Sequence, residues 1–207
     1  MLKRFVIMLC LLLTGCSSQW IARSDIDGTI EQNNQKIFIG IPVLASLEGS
    51  MARLDESWIL TAKHNRVILA LQGREVYYHP YCDIALVKNA GTISAAVGMV
   101  FNGQEILHVG YPIGLPLSAS KGKYVGDVFV QGWDGCQMSA TTGVVSSGMS
   151  GGGVYNDHAE LIGINHGYVS GSVLWPNGEQ ASHPAVFVSL YAVKDWLQLV
   201  TGKDYYR

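Results

Sequence analysis

Three side chains could act together as one chemical unit. Ser150 sits in the run Gly148-Met149-Ser150-Gly151-Gly152-Gly153. A serine hydroxyl is a weak nucleophile near neutral pH. It needs a base for its proton and donors for the negative charge that develops on an attacked carbonyl. Backbone N–H groups can be those donors only where side chains stay clear, and glycine supplies that clearance despite its large entropic cost on folding. The N–H groups of Gly148 and Ser150 are therefore the expected oxyanion donors. Upstream, WILTAKHN (58–65) is an apolar run that ends at His64, the candidate base. CDIALVK (82–88) opens with Asp83, a carboxylate able to fix an imidazole tautomer. Each residue alone has an ordinary reading: a surface histidine, a turn aspartate, a glycine turn between strands. In the order His, Asp, Ser they suit acyl transfer.

These residues need a scaffold. The chain has 207 residues, 48% hydrophobic and only 14% charged, with 24 glycines and a formal net charge of -2. That composition builds a sizeable core, excludes disorder, and offers no basic field for nucleic acid. From Lys36 onward, short runs rich in Val, Ile, Leu and aromatics alternate with Gly, Asn, Asp and Pro, the pattern of a sandwich or barrel of strands. Between the runs no helical period stands out. The exception closes the chain: Leu190, Val193, Leu197 and Val200 share one helical face, with Ser189 as the expected cap and Gly202 as the stop. Gly-x-Ser-x-Gly also describes the nucleophile elbow of α/β hydrolases. That fold needs its acid and histidine after the serine and helices alternating with strands; only 57 residues of this sequence follow Ser150, and the upstream segment lacks alternating helices.

WILTAKHN, DIALVK and GMSGGG together resemble the three signature segments of trypsin-like (chymotrypsin-fold) serine proteases. The ending PAVFVSLYAVKDWLQLV is similar to that family's last strand and terminal helix. The resemblance spans about residues 36–200. It implies an all-β fold of two six-stranded antiparallel β-barrels with a C-terminal α-helix, divided here into lobes 36–100 and 101–207. It implies Ser150 as nucleophile, His64 as base and then acid, Asp83 as the group that orients His64, and a polypeptide substrate. By the same resemblance Val144 lies at the base of the primary specificity pocket, Gly167 and Ala185 form its walls, and the strand 161–168 receives an extended peptide. Asn165 occupies the place where glutamate-specific relatives carry a histidine, with His166 next to it. An apolar base without a carboxylate favours small or medium apolar side chains over Lys, Arg or Glu.

Three departures stand out. Met149 precedes the serine where many digestive members carry an aspartate that pairs with a freed amino terminus, so the oxyanion hollow must form through other contacts. Asn65 replaces a cysteine common after the histidine. Gly153 stands where a proline is frequent. A protease fold with a silent site that binds a protein partner is the alternative that Met149, together with an amino terminus tied to lipid, motivates.

The start of the chain belongs to export. Lys3 and Arg4 precede a nine-residue apolar run, Phe5–Leu13, too short to span a bilayer, and then Thr14-Gly15-Cys16. This resembles a lipoprotein signal (1–15) with lipid on Cys16, followed by a polar tether (16–35). It implies attachment to the cell envelope, at the outer membrane facing the periplasm if the host is Gram-negative. An exported Cys82 and Cys136 can pair or stay as buried thiols; both readings are open. The histidines and cysteines show no metal-ligand spacing. No cofactor and no metal are expected, and the protein is expected to be a monomer.

Overall fold

The computed structural model describes residues 20–21, 25–41, 45–175, 178 and 180–207. The expected signal 1–15, the lipid-bearing Cys16 and the first part of the expected tether lie outside them. Strand β1 (Trp20–Ile21) is followed by helix α1 (Gly28–Asn33), then β2 (Asn34–Ile41), β3 (Ala45–Arg53), β4 (Trp58–Thr61), helix α2 (Arg66–Leu71), β5 (Val76–Tyr78) and β6 (Ala85–Lys88). The second half contributes β7 (Glu105–Gly110), β8 (Ser118–Phe129), β9 (Gln137–Thr141), β10 (Gly153–Asn156), β11 (Leu161–Tyr168), a hairpin of β12 (Ser172–Leu174) and β13 (Gln180–Ser182), β14 (Ala185–Ser189) and helix α3 (Lys194–Thr201).

The second lobe is a closed barrel. Its strands run in the order β8-β7-β10-β11-β14-β9, and β9 pairs back onto β8, with β1 added to β8. The long β8 makes this possible: its first half pairs with β7 and its second half with β9, across a register shift between Tyr124 and Gly126. The first lobe is an antiparallel sheet in the order β2-β3-β4-β6-β5. It carries five strands among the described residues rather than the six expected. The run RVILAL, which reads as a strand, is the short helix α2; Ile68 and Leu69 pack it on Ile37, Met51, Ile59 and Val87. A continuous apolar run cannot distinguish a buried strand from a buried helix.

One apolar core crosses both lobes. Leu54, Leu60, Ile84 and Leu86 of the first lobe share it with Val109, Met138, Tyr155, Ile164 and Val188 of the second. The lobes are therefore held face to face by burial, and the cleft between them is fixed. Lys203 Nζ and Tyr205 Oη both donate to Asp55 Oδ2 at 2.8 Å, tying the C-terminal segment to the first lobe.

Two expectations are corrected here. From residue 25 the chain is not a tether. Asp27 caps α1 by accepting from the N–H groups of Thr29 and Ile30, and Ile26 and Ile30 are buried in the shared core. Asn34 donates to Tyr155 Oη at 2.8 Å and accepts from Gly153 N–H at 2.9 Å, anchoring this segment to β10. Ser189 does not cap the last helix. It ends β14, and a 3-10 turn, Tyr191–Val193, leads into α3. Gly202 does end that helix, with φ +74° and its N–H donating to Gln198 O. No helix among the described residues is long and apolar enough to cross a membrane.

Candidate active site

The four residues of β4 are all buried, so the strand is rigid where it delivers the 3-10 turn Lys63–Asn65. His64 leaves that turn with its side chain 40% exposed. Asp83, fully buried, sits just before β6. Its Oδ1 accepts the backbone N–H of His64 at 2.9 Å, and its Oδ2 accepts from His64 Nδ1 at 2.6 Å. The same Oδ2 also accepts from His166 Nδ1. An ionised carboxylate only accepts hydrogen bonds, so both imidazoles carry a proton on Nδ1 and a neutral ring keeps a lone pair on Nε2. Burial by itself raises the Asp83 pKa. The hydrogen bonds from His166 and His64 outweigh it and hold the carboxyl well below its usual range.

Ser150 belongs to a loop of the second lobe clamped on the first. Its carbonyl accepts from Ser50 N–H at 2.9 Å and from Asn65 Nδ2 at 3.0 Å. Asn65, buried in the place of an expected cysteine, thus bridges the base turn and the serine loop. Ser50 Oγ donates to Gly148 O and accepts from Tyr111 N–H, both at 2.8 Å. The glycines have identifiable reasons. At Gly151, φ is +87° and an added Cβ would lie 2.3 Å from Ser50 O and 2.7 Å from Ala62 N. At Gly148, φ is +93° and a Cβ would lie 2.6 Å from Tyr111 O. L-residues rarely adopt such φ values, and here no room exists for a side chain.

The peptide planes of this loop are pinned by their carbonyls. Ser147 O accepts from Ile113 N–H at 3.0 Å, which turns the trans-related N–H of Gly148 the opposite way. Met149 O accepts from Gly152 N–H at 3.0 Å and from Asn165 Nδ2 at 3.4 Å, which does the same for Ser150 N–H. Among the described residues no hydrogen bond uses either N–H. Met149, where an aspartate would sit in digestive relatives, is fully buried with Val145 and Ala185. Apolar packing supports the loop where an ion pair is missing.

The Ser150 hydroxyl donates to His166 O at 3.0 Å. Among the described residues no hydrogen bond joins it to His64.

The residues expected to meet substrate divide in two groups. Val144 is half-buried and lines a shallow cavity of about 420 Å³ with Val145, Tyr168, Ser170 and His183; among the described residues no carboxylate lines it. At Gly167 an added Cβ would meet nothing within 4 Å, so the face of the strand is open there. There β14 pairs one edge of this segment at Val186, while the β10 register stops at Ile164 and leaves the other edge without a partner strand among the described residues. The others are corrected. Asn165 is buried inside the barrel, where its Oδ1 accepts from His108 Nδ1 at 2.7 Å and its Nδ2 donates to Val109 O at 2.9 Å. The His166 ring turns to Asp83 and stands edge-on to Trp133, with ring centroids 5.7 Å apart. Ala185 is buried behind the pocket wall. Tyr168, the last residue of the strand 161–168, and His183, beyond the β12–β13 hairpin, line this cavity without any residue-type signal that would single them out. Trp133 was missed because its neighbours in space are remote in sequence; with Lys63, His64, Arg66 and Val67 it lines a second cavity of about 330 Å³. Cys82 and Cys136 form a disulfide beside it.

His108 is a buried titratable group below the site. Burial pushes its pKa down to about 4 from 6.5, outweighing the hydrogen bond to Asn165, while Thr141 Oγ1 lies 2.8 Å from its Nε2. The fold therefore holds it neutral where the unfolded chain would protonate it. Its contribution is complete above pH 6.5 and is lost as pH falls toward 4, by about 3 kcal/mol. The melting temperature should drop across that window in the wild type and drop less in His108→Gln. Equal slopes would show that the fold does not depress the His108 pKa. Loss from Asp83 protonation falls below pH 3.8, outside this window.

No protein-family model and no curated protein sequence matches the chain. Solved structures do. The MamO protease domain from Magnetospirillum magneticum superposes with TM-score 0.59 at 20% identity, over 83% of this chain and 98% of that one. The HtrA-type protease AlgW with decapeptide superposes with TM-score 0.58 at 17% identity, over 81% of this chain and 63% of that one. The Rv3671c protease from M. tuberculosis, active form, gives 0.61 at 14% identity, over 82% of each chain. At these identities the likeness establishes the fold alone, the chymotrypsin-like one.

Proposed function

We propose that this chain is a serine endopeptidase. The observation that carries the reading is the orientation of His64 by both oxygens of Asp83 beside a serine loop whose Gly148 and Ser150 N–H groups are unengaged among the described residues. In this reading a polypeptide lies along the open edge of β11 at Gly167 as an added strand. Ser150 Oγ rotates from His166 O to His64 Nε2, loses its proton there and attacks the scissile carbonyl. The two N–H groups hold the oxyanion. His64 returns the proton to the leaving amine, and water repeats the steps on the acyl-enzyme. Asp83 stays ionised throughout and stabilises the imidazolium. Val144, Val145 and Tyr168 receive the side chain that precedes the scissile bond, and an apolar lining with no carboxylate among the described residues suits a small or medium apolar one.

The same proposal includes export and lipid attachment at Cys16, which holds a monomeric enzyme at the envelope, the outer membrane in a Gram-negative host. Several acyl chains at about 0.8 kcal/mol per buried methylene suffice for stable anchoring. A second reading, a silent protease fold that binds a protein partner, is favoured by one observation: the Ser150 hydroxyl donates to His166 O. Catalytic hydrogen bonds are often unformed before substrate arrives, so the enzymatic reading keeps priority.

Profiling the purified protein on a peptide library separates these readings. Cleavage after Ala-, Val- or Leu-sized residues should exceed cleavage after Lys, Arg or Glu by about tenfold or more. Absence of cleavage, or equal cleavage by Ser150→Ala, would contradict the proposal.

A further inference from the structure

Asp83 Oδ2 faces two imidazoles. A triad needs one of them. His64 Nδ1, Asp83 Oδ2 and His166 Nδ1 come from three separate elements, and the three atoms all lie within 4.8 Å of one another. Two imidazole nitrogens and one carboxylate oxygen are the donor set of open, three-ligand zinc sites, in which water completes a tetrahedron. We propose that His64, Asp83 and His166 form a site for a divalent transition-metal ion, with Zn²⁺ the best match, and that its occupancy inhibits the protein.

The fit is close in distance. Metal–nitrogen and metal–oxygen bonds of about 2.0–2.2 Å in a tetrahedron place ligand atoms about 3.3 Å apart. His64 Nδ1 and Asp83 Oδ2 are now 2.6 Å apart and must separate by less than 1 Å, while the widest pair of the three, within 4.8 Å, must close toward that edge length. His64 can do so, being 40% exposed on a short turn. His166 follows Asn165 at the register shift of β11 against β14, where the ladder is interrupted. The nearby ammonium of Lys63 is tied to the carbonyls of His79 and Pro80, at 2.8 and 3.1 Å.

The chemistry makes the ion inhibitory and balances without an outside reagent. The cation takes the Nδ1 lone pair of each ring, and each Nδ1 proton moves to Nε2. His64 then carries a proton on the nitrogen that should receive the one from Ser150, so it cannot act as the base. The two Nδ1–H···Oδ2 hydrogen bonds are replaced by three metal bonds. Sequence spacing gave no hint of this site, because residues 64, 83 and 166 meet only through the fold.

The inhibition rests on the peptidase reading; the binding does not. Binding is therefore measured on the Ser150→Ala protein, with Co²⁺ as an optical probe. The expected result is a tetrahedral visible absorption saturating at one ion per chain, erased by Zn²⁺, and lost in both His166→Ser and His64→Ala backgrounds that retain the wild-type circular dichroism. No such absorption, or absorption that persists in His166→Ser, overturns the proposal. In parallel, Zn²⁺ should lower wild-type kcat/KM by about 10²-fold or more, reversibly with a chelator, as expected for loss of the general base. The ratio with and without Zn²⁺ should stay near one in His166→Ser. If Co²⁺ binds as described but metal-free protein cleaves nothing, the metal site stands and the peptidase reading alone fails.

Discussion

Asp83→Asn should lower kcat by about 10⁴-fold, the scale of losing the correct histidine tautomer in a Ser-His-Asp site. The geometry gives the reason. Asp83 accepts three N–H donors with two oxygens: the His64 backbone at Oδ1, and the Nδ1 atoms of His64 and His166 at Oδ2. An asparagine has one oxygen and one NH₂ to put in those places. With oxygen toward the imidazoles, the NH₂ meets the His64 backbone N–H, donor against donor. With oxygen toward the backbone, the NH₂ meets both rings and drives their protons to Nε2. Either outcome removes the base or the turn that presents it. KM should change little, because the peptide contacts proposed above lie on β11 and at Val144, away from Asp83. Steady-state kinetics on a good library substrate measures this; a loss of less than about tenfold would mean that Asp83 does not orient the catalytic base.

Removing the Cys82–Cys136 disulfide should lower stability by about 4 kcal/mol in the chain-entropy account of a cross-link closing a loop of this length, whose sequence separation is 54. For a chain of this size that corresponds to a melting temperature roughly 10 °C lower. The bond does more than close a loop. Cys82 adjoins Asp83, and Cys136 ends the turn that places Trp133, with Cys136 N–H donating to Trp133 O at 2.8 Å. Trp133 in turn stands edge-on to His166. The cross-link therefore holds a second-lobe turn against the acid loop of the first lobe. The double variant Cys82→Ala/Cys136→Ala should lose activity well below its melting point as well as melting earlier. An unchanged melting temperature would show that the shared apolar core fixes the lobes without it.

The sequence made some of this legible and hid the rest for physical reasons. Strand-rich texture and the His, Asp, Ser order pointed to two β lobes meeting at a cleft, because alternation and turn residues are local signals. Helix α1 was hidden because its anchor is remote: Asn34 holds Tyr155 across 121 residues. Helix α2 was hidden because five apolar residues in a row, Val67 to Leu71, have no period. On β11, adjacent residues face opposite sides of the sheet, so an error in phase sends a side chain to the wrong place. Asn165 faces the barrel interior and His166 faces Asp83, and the register shift between Asn165 and Gly167 cannot be read from residue types. The second imidazole on Asp83 was for that reason unforeseen. Gly148 and Gly151 were legible, since four glycines around one serine have few explanations, and the structure supplies close backbone approaches at both.

The central claim is that Ser150 is an activated nucleophile facing formed oxyanion donors. Treatment of the purified protein with a fluorophosphonate, followed by intact-mass and peptide analysis, tests it most directly. The account predicts one adduct per chain, on Ser150, absent in Ser150→Ala and strongly slowed in His64→Ala. Full recovery of unmodified protein after prolonged exposure, or an adduct elsewhere with Ser150 untouched, would contradict it.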